Sequence, residues 1–351
     1  MATAYPSGFN TFVPSFEASG HLTVSYSRNP KDFPLNQYVT LTPVNKSVGY
    51  FLQVTAEVAA RVINSPNLNE FVWPDGADAP SGEWGLESFA FAPYNTVRFT
   101  YPFRIGYKAE EQASWQILAM HSEFAAQDAM TARTVKTVAT ILNTSNYAAS
   151  HVATATALGG GFLSAGTAVN AFIKKAFNAA AQQIQLDTVG RVRPKDLVVV
   201  MSPVVADALG RSQEISDYIK SSPYALAQVR GDVASQNGQW GLPDQLFGYK
   251  VVVEDTVRVT SKKNATRAAS YAWSLAGGSG ESIAMLARPG QLTGPAGGPS
   301  FSSAHIFAYE EMTVEQRDDP DNRRIMGRVV EDFDVEIVAP ASAFIITHIL
   351  S

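Results

Sequence analysis

The stretch Lys108–Asn143, KAEEQASWQILAMHSEFAAQDAMTARTVKTVATILN, decides how this chain is read. No Gly or Pro interrupts it, and Ala, Gln, Glu, Met and Leu fill most of the positions around its apolar stripe. Ala113, Ile117, Met120, Phe124, Val135, Val138 and Leu142 recur at the three- and four-residue spacing of a helical face. Glu110, Glu111 and Glu123 lie in the first half and Arg133 and Lys136 in the second, the order a helix dipole favours. The spacing predicts one helix of roughly 50 Å, longer than most small domains are wide. Such a helix lies along a partner or forms the backbone of an elongated molecule. A heptad continued from Ile117 and Met120 puts Gln127, Thr131 and Thr134 at core positions. That break argues against a coiled coil and for a single helix laid across a mixed sheet.

The rest of the composition narrows the class. The chain has 351 residues, 46% apolar and 17% charged, enough for two domains or one large elongated one. A net charge of −5 and a pI near 5.6 argue against a surface built to hold nucleic acid by phosphate neutralisation. With no cysteine there are no disulfides, thiolate metal sites or cysteine nucleophiles. Met1–Phe16 lacks a basic region followed by an apolar run, and no stretch approaches the roughly 20 apolar residues of a membrane span. A soluble protein made in a cytoplasm, with no membrane partner, is expected.

Upstream of the helix, residues 1–47 are rich in Pro, Ser, Asn and Thr, with scattered aromatics and a short strand pattern at Leu22–Tyr26. They read either as an extended arm that docks on something or as a disordered tail. Val48–Ile63 predicts a short strand and a helix. Asn64–Tyr107 predicts a two-stranded excursion: Phe71, Val72 and Trp73 lead into a Pro74-Asp75-Gly76 turn, and a second Gly/Pro cluster holding Trp84 follows. Phe89, Phe91, Tyr94, Val97, Phe99, Tyr101 and Phe103 then fall nearly all on one face of a strand. An isolated ribbon this aromatic is marginal, so its face is covered either by the chain's own body or by a neighbouring copy.

Downstream, Gly159–Gly161 marks a loop, and a compact α/β region follows. Ala168–Ile184 reads as helix, Leu197–Met201 as a strand buried on both faces, and Pro203–Leu209 as a helix with proline in its first turn. Ile215–Val229 continues helical with a break at Pro223, and Tyr249–Glu254 and Ser282–Ala287 read as further strands. Two Gly-rich segments, 276–280 and 294–299, flank the last of these. Ile306–Gln316 and Ile325–Val338 read as two strands joined by the Asp318–Arg324 turn. In the second, Phe333, Val335 and Ile337 alternate with Asp332, Asp334 and Glu336, a half-buried pattern.

No catalytic chemistry emerges. His21, His121, His151, His305 and His348 are scattered, with no second ligand type at metal spacing. Asp318, Asp319 and Asp321 have the start of a calcium loop, but Arg323 occupies the next ligand position. The glycine clusters lack the Lys-Ser/Thr of a phosphate loop and the spacing of a dinucleotide site, and no G-x-S-x-G elbow occurs. No enzyme, cofactor or metal is expected.

Three stretches carry a resemblance. Asp196-Leu197-Val198-Val199-Val200-Met201-Ser202-Pro203, a strand ending in Met-Ser before a helix, is the first. Leu246-Phe247-Gly248-Tyr249-Lys250-Val251-Val252-Val253 is the second, with Lys250 where the pattern usually has proline. The third is the closing strand, Val335–Phe344, with Pro340 followed by Ala343 and Phe344. In their order along the chain, from about Val48 to Ile349, they resemble the major capsid proteins of tailed bacteriophages, with the Hong Kong 97 fold. The resemblance implies an α+β capsid fold with residues 1–47 as N-terminal arm and 48–63 as the start of the peripheral (P) domain. It makes 64–107 the β-ribbon called the E-loop, 108–167 the P domain with its spine helix, 168–301 the axial (A) domain and 302–351 the C-terminal P-domain strands. It implies an E-loop contact with a neighbouring subunit through Phe71, Trp73, Trp84, Phe89, Phe91, Tyr94, Phe99 and Tyr101. It also implies capsomer-axis loops carrying Arg230, Asp232, Gln236, Trp240, Gly278 and Gly280.

The function implied is an icosahedral head built of hexamers and pentamers, enclosing double-stranded DNA without specific binding. A portal protein and separate scaffolding and decoration proteins are the implied partners, the virion the location and the host cytoplasm the place of assembly. An encapsulin-like protein nanocompartment shares the fold and is the alternative. A β-rich carbohydrate-binding adhesin would explain the ribbon but not the long helix. The pattern departs from the family twice. No long charged helical segment precedes the arm, so an internal scaffolding segment is not expected. Some family members also cross-link covalently through an E-loop lysine, and there is no lysine between Lys46 and Lys108. Assembled material is therefore expected to run as a single monomer band on a denaturing gel; a ladder of covalent multimers would contradict this.

Overall fold

The computed structural model describes residues 33–53, 72–77, 90–113, 116–158, 173–261, 265–266, 268–275, 281–289 and 302–350. The strand expected at Leu22–Tyr26, the helix expected before Ile63, the Gly159–Gly161 loop and the segments 276–280 and 294–299 lie outside these residues. In chain order the strands are β1 (Thr40–Pro43), β2 (Val48–Gln53), β3 (Ala90–Asn95), β4 (Val97–Gly106), β5 (Val152–Thr154), β6 (Leu197–Met201), β7 (Gln245–Leu246), β8 (Tyr249–Val253), β9 (Val257–Val259), β10 (Ala269–Tyr271), β11 (Ile283–Ala287), β12 (Ala304–Asp319), β13 (Arg324–Ile337) and β14 (Ala343–Thr347). The helices are α1 (Tyr107–Gln112), α2 (Ile117–Ile141), α3 (Ile173–Asp187), α4 (Pro203–Gly210), α5 (Gln213–Ser221) and α6 (Pro223–Arg230). Among the described residues no helix is long and apolar enough to cross a membrane.

Two sheets carry the body. One has the order β1-β12-β13-β4, the other β5-β14-β11-β6-β8-β7, with β2-β3 and β9-β10 as separate two-stranded ribbons. The run Leu197–Met201 is buried throughout because it lies inside the six-stranded sheet, between β11 and β8. Its odd residues Leu197, Val199 and Met201 join Phe177, Ile184, Leu209 and Ile215 of the helical layer, and its even residues Val198 and Val200 point the other way. Ser202 caps α4 by accepting the Val205 N–H (3.2 Å), and Pro203 opens it, as expected.

The long helix differs from expectation in extent and in face. It divides into α1 and the 25-residue α2, because Ala113 leaves the helical conformation (ψ 132°) and Gln116, ahead of α2, is also non-helical (ψ 78°). The 25 residues of α2 span roughly 37 Å. Its buried residues are Ala125, Ala129, Thr134, Thr137, Val138 and Ile141, so of the expected stripe only Val138 and, just past the helix end, Leu142 are buried. Small side chains bring the helix close to the sheet. The two threonines are tolerated there because Thr134 Oγ1 donates to Met130 O (3.0 Å) and Thr137 Oγ1 to Arg133 O (2.9 Å). Val138, Ile141 and Leu142 fill the space between the two sheets, against Val198, Val200, Ala284 and Ile345 on one side and Ile306, Phe333, Val335 and Ile337 on the other.

Arg133 and Lys136 do more than suit a helix dipole. Arg133 forms an ion pair with Glu331, which is fully buried, and Lys136 Nζ lies 2.9 Å from Asp334. Lys136 also stands over the rings of Phe99 (5.5 Å) and Phe333 (5.2 Å). β13 is accordingly not half-buried as its alternation predicts: Glu331, Asp332 and Asp334 are all under 9% exposed.

The arm and the domain boundaries also change. Residues 33–43 are integral to the body: Phe33 and Leu35 are buried, and Leu35 N–H donates to the buried Glu254 carboxylate (2.9 Å). β1 then pairs in parallel with His305–Ala308 of β12. β2, expected to begin the P domain, is instead the partner of β3 in the aromatic ribbon. β5 and β14, expected with the P-domain segments, belong to the six-stranded sheet, where β14 pairs with β11 and β5 with β14. β14 goes there because both its faces are apolar: Phe344 and Ile346 meet the helical layer, Ala343 and Ile345 the opposite one.

The Arg133–Glu331 pair generates a stability prediction. Arg133→Met strands a fully buried carboxylate and is expected to cost about 3–5 kcal/mol, while Arg133→Met combined with Glu331→Leu recovers most of it. Urea unfolding midpoints of the two variants check this; equal losses would contradict it.

Candidate assembly surface

The β2–β3 ribbon is where the sequence concentrates apolar residues outside the core. Its cross-strand pairs are Val48–Asn95, Gly49–Tyr94, Tyr50–Pro93, Phe51–Ala92, Leu52–Phe91 and Gln53–Ala90. Alternation gives it two faces. The inner one seats on β12: the Tyr94 ring stacks on Phe307 (centroids 4.8 Å, 13° between planes) and Phe51 tilts against the same ring at 5.1 Å. Gly49 permits this, since a Cβ there would come within 2.5 Å of the Tyr94 hydroxyl. Asn95 N–H donates to the Asp334 carboxylate (2.9 Å), tying the end of β3 to β13. The outer face carries Tyr50, Phe91, Val48 and Leu52, exposed by 75%, 64%, 59% and 39%.

The expected contact residues therefore separate. Phe91 is on the exposed outer face, while Tyr94 is buried on the chain's own Phe307. Phe99 and Tyr101 are not in the ribbon, because β4 (Val97–Gly106) pairs antiparallel with Arg324–Phe333 of β13 in the four-stranded sheet. Phe99 packs on Phe333 at 5.0 Å, and Tyr101 is half-buried beside α2, where burial and the charges of Glu331 and Asp128 push its hydroxyl up to about 12. These two rings are covered within the subunit, which corrects the expectation of a single aromatic face. Trp73 is exposed at the Pro74-Asp75-Gly76 turn, its Nε1 donating to Ala77 O (2.6 Å). Phe71, Trp84 and Phe89 lie outside the described residues.

The expected axis loop is on the surface. Arg230 ends α6 ahead of the left-handed Gly231 (φ 84°), and Asp232 and Gln236 are exposed. Trp240 is half-buried against the core of the helical layer. Gly278 and Gly280 lie outside the described residues. Sequence reading missed the group that shapes this loop: Asp244 Oδ1 accepts from Ser235 Oγ (2.8 Å), Gln236 N (3.0 Å) and Asn237 N (3.2 Å). It also missed buried Asn237, whose Nδ2 donates to Val251 O (2.9 Å). Neither has a local signature, since their partners are loop amides fixed by the fold.

Under the ribbon's seat lies a titratable pair. His305 on β12 faces Glu336 on β13 across the ladder. His305 Nδ1 meets Thr42 Oγ1 at 2.9 Å and its buried Nε2 has no hydrogen-bond partner. Burial draws His305 down to about 4. Burial, with help from Asp334 and against Lys136, pushes Glu336 up to about 7. Among the described residues no group of three His, Cys, Asp or Glu could hold a metal.

The molecule thus combines a seated aromatic ribbon, a long helix packed between two sheets and an exposed loop after α6. The chain has the fold of tailed-phage capsid proteins. It is similar to a phage-related protein from Bordetella bronchiseptica RB50, at 14% identity and a TM-score of 0.60, over 92% of this chain and 93% of that one. It is also similar to the capsid of cyanophage P-SCSP1u (11% identity, TM-score 0.52, 90% of this chain, 88% of that one) and to the mature capsid of bacteriophage PhiM1 (9%, 0.51, 90% and 86%). No family model matches the sequence, and no curated protein matches it significantly.

The two titratable groups act in opposite directions. Glu336 is held protonated by the fold, so its contribution is intact below its ordinary 4.5 and is lost as pH rises through about 7. His305 is held neutral, so its contribution is intact above its ordinary 6.5 and is lost as pH falls through about 4. Glu336→Gln is expected to raise the thermal midpoint at about pH 8 and leave it unchanged at about pH 4.5. A shift of equal size at both pH values in calorimetry would contradict this.

Proposed function

We propose that the chain is the major shell subunit of a tailed phage, copies of which assemble as hexamers and pentamers into the icosahedral head around double-stranded DNA. The observation that carries the reading is the likeness in fold, over 90–92% of the chain, to a phage-related protein and to a cyanophage capsid, joined to an apolar ribbon face exposed on the single chain. In this reading the ribbon is the E-loop, and Tyr50, Leu52 and Phe91 of its outer face are covered by the neighbouring subunit, with Trp73 near its tip. The four-stranded sheet and α2 form the P domain, the six-stranded sheet and its helices the A domain. Arg230, Asp232, Gln236 and Trp240 lie towards the capsomer axis. The acidic balance is compatible with a container whose DNA is driven in rather than bound. A portal protein, with separate scaffolding and decoration proteins, would complete the head, assembled in the host cytoplasm and retained in the virion.

Each buried aromatic is worth about 1.5–3 kcal/mol, and every copy repeats the contact. Tyr50→Ser with Phe91→Ser is expected to leave the monomer folded, with unchanged circular dichroism and thermal unfolding, and to abolish shells. Phe99→Ser is expected to destabilise the monomer itself by about 2 kcal/mol, since its ring packs on Phe333. A Tyr50/Phe91 variant that unfolds would overturn the assignment. Nuclease-protected DNA in purified particles supports the phage head, and a protein cargo without DNA would favour the encapsulin-like alternative.

A further inference from the structure

We propose that Arg191, Arg193, Lys195 and Arg288, gathered at one end of the six-stranded sheet, form a phosphate-contact patch for double-stranded DNA. The inference rests on the shell reading for the presence of that DNA inside the particle. The segment from Thr188 to Asp196 links α3 to β6, and its first residues wind back onto the helix. Gly190 N–H donates to Gln185 O (2.8 Å), Arg191 N–H to Thr188 O (3.1 Å) and Val192 N–H to Thr188 Oγ1 (3.3 Å). Val192 is thereby buried in the core of the helical layer, and Arg191 and Arg193 on either side of it are exposed. Lys195 is exposed as well. Arg288, the residue after β11, comes to the same place from the neighbouring strand. Its Nη2 donates to Lys195 O (2.9 Å) and its N–H to Asp196 O (3.0 Å).

No exposed acid offsets these charges locally. Between residues 188 and 206 the sequence holds Asp196 alone, and between 282 and 309 it holds no acid. Asp196 is buried and accepts the Arg193 N–H (3.2 Å). Asp187, at the end of α3, is taken by His151 (2.7 Å) and Gln183 (2.9 Å). Arg98, Arg324 and Arg328 of the four-stranded sheet each meet a carboxylate, whereas among the described residues none of these four cations does. The Nε of Arg288 is buried without a hydrogen-bond partner. Like charges held together without an acid disfavour one another, and an anionic partner removes that cost. The chain's net charge of −5 conceals this local excess.

The arrangement favours a phosphate backbone. Three of the four groups are guanidinium forks, which match phosphate oxygens in shape as well as charge. They open outwards along the surface, an arrangement suited to a row of anions more than to one small ion. Each DNA strand carries a charge about every 3.4 Å of its axis, so all four cations can find phosphates at once whatever the sequence. Such contacts steady DNA that has been driven in and are not needed to recruit it.

Fluorescence anisotropy of a labelled duplex of about 20 base pairs, titrated with the dissociated full-length subunit, tests this. Four phosphate contacts predict an affinity falling about 150-fold between about 50 and 200 mM salt. Arg191→Glu with Arg193→Glu should weaken binding at least tenfold at low salt. Lys174→Glu with Lys175→Glu, two exposed cations at the opposite end of α3, should leave it unchanged. If the first variant fails to fold, Arg191→Gln with Arg193→Gln serves, and it should lower the salt slope by about two. Three results would overturn the inference with the shell reading intact: no salt-dependent binding, equal loss in both lysine and arginine variants, or preferential binding of polyglutamate, the mark of an acidic protein partner. If the chain forms no particles, the shell reading fails on its own account, and the titration still decides the patch.

Discussion

The buried ion pair between Arg133 of α2 and Glu331 of β13 is the constraint on which the body depends. A carboxylate with no exposure is tolerable only with a charged partner close by, and among the described residues Arg133 of α2 supplies it. The pair fixes the rotation of α2 over the four-stranded sheet. That rotation places Lys136 beside Asp334 and leaves Val138 and Ile141 to fill the gap to the six-stranded sheet. A purely apolar interface would hold the layers together with less control over register. Small residues at Ala125 and Ala129 let the helix approach closely, and the threonine hydroxyls bond back to their own helix.

The opposite face of the same sheet solves a different problem. On this side of β13 the acids Asp332 and Asp334 are buried and Glu336 half-buried, beside the ribbon and β1: Phe51 and Tyr94 sit on Phe307, Asn95 N–H donates to Asp334, and Thr42 meets His305. The ribbon thus spends one face on its own subunit and presents the other, with Tyr50 and Phe91, outwards. An apolar face held out by a rigid seat differs from a loose hydrophobic loop, because its geometry exists before a partner arrives.

Much of this was legible in the sequence where burial is continuous or punctuation strong. Leu197–Met201, the capped entry at Ser202-Pro203, the Pro74-Asp75-Gly76 turn and the paired strands around Asp318–Arg324 all follow local rules. What was not legible depends on partners distant in sequence. The apolar period of the long stretch pointed to Met120 and Phe124, but close packing selected Ala125, Ala129, Thr134 and Thr137. β2 and β3 are 36 residues apart from the end of one to the start of the other, and nothing local identifies them as mates. Phe99 and Tyr101 share the alternation of Phe91, yet only the change of partner strand at Thr96 separates rings on the body from a ring on the ribbon. For β14, two apolar faces were visible, but not which sheet would accept them. His305 and Asp244 carry no motif at all.

Electron microscopy of the purified full-length protein tests the central claim most directly, that the apolar ribbon face is an inter-subunit surface of a closed shell. The account predicts uniform, closed particles with icosahedral symmetry, in which reconstruction finds Tyr50 and Phe91 covered by an adjacent subunit. A monomer or small soluble oligomer at concentrations well above micromolar, or particles in which those two rings remain open to solvent, would contradict it.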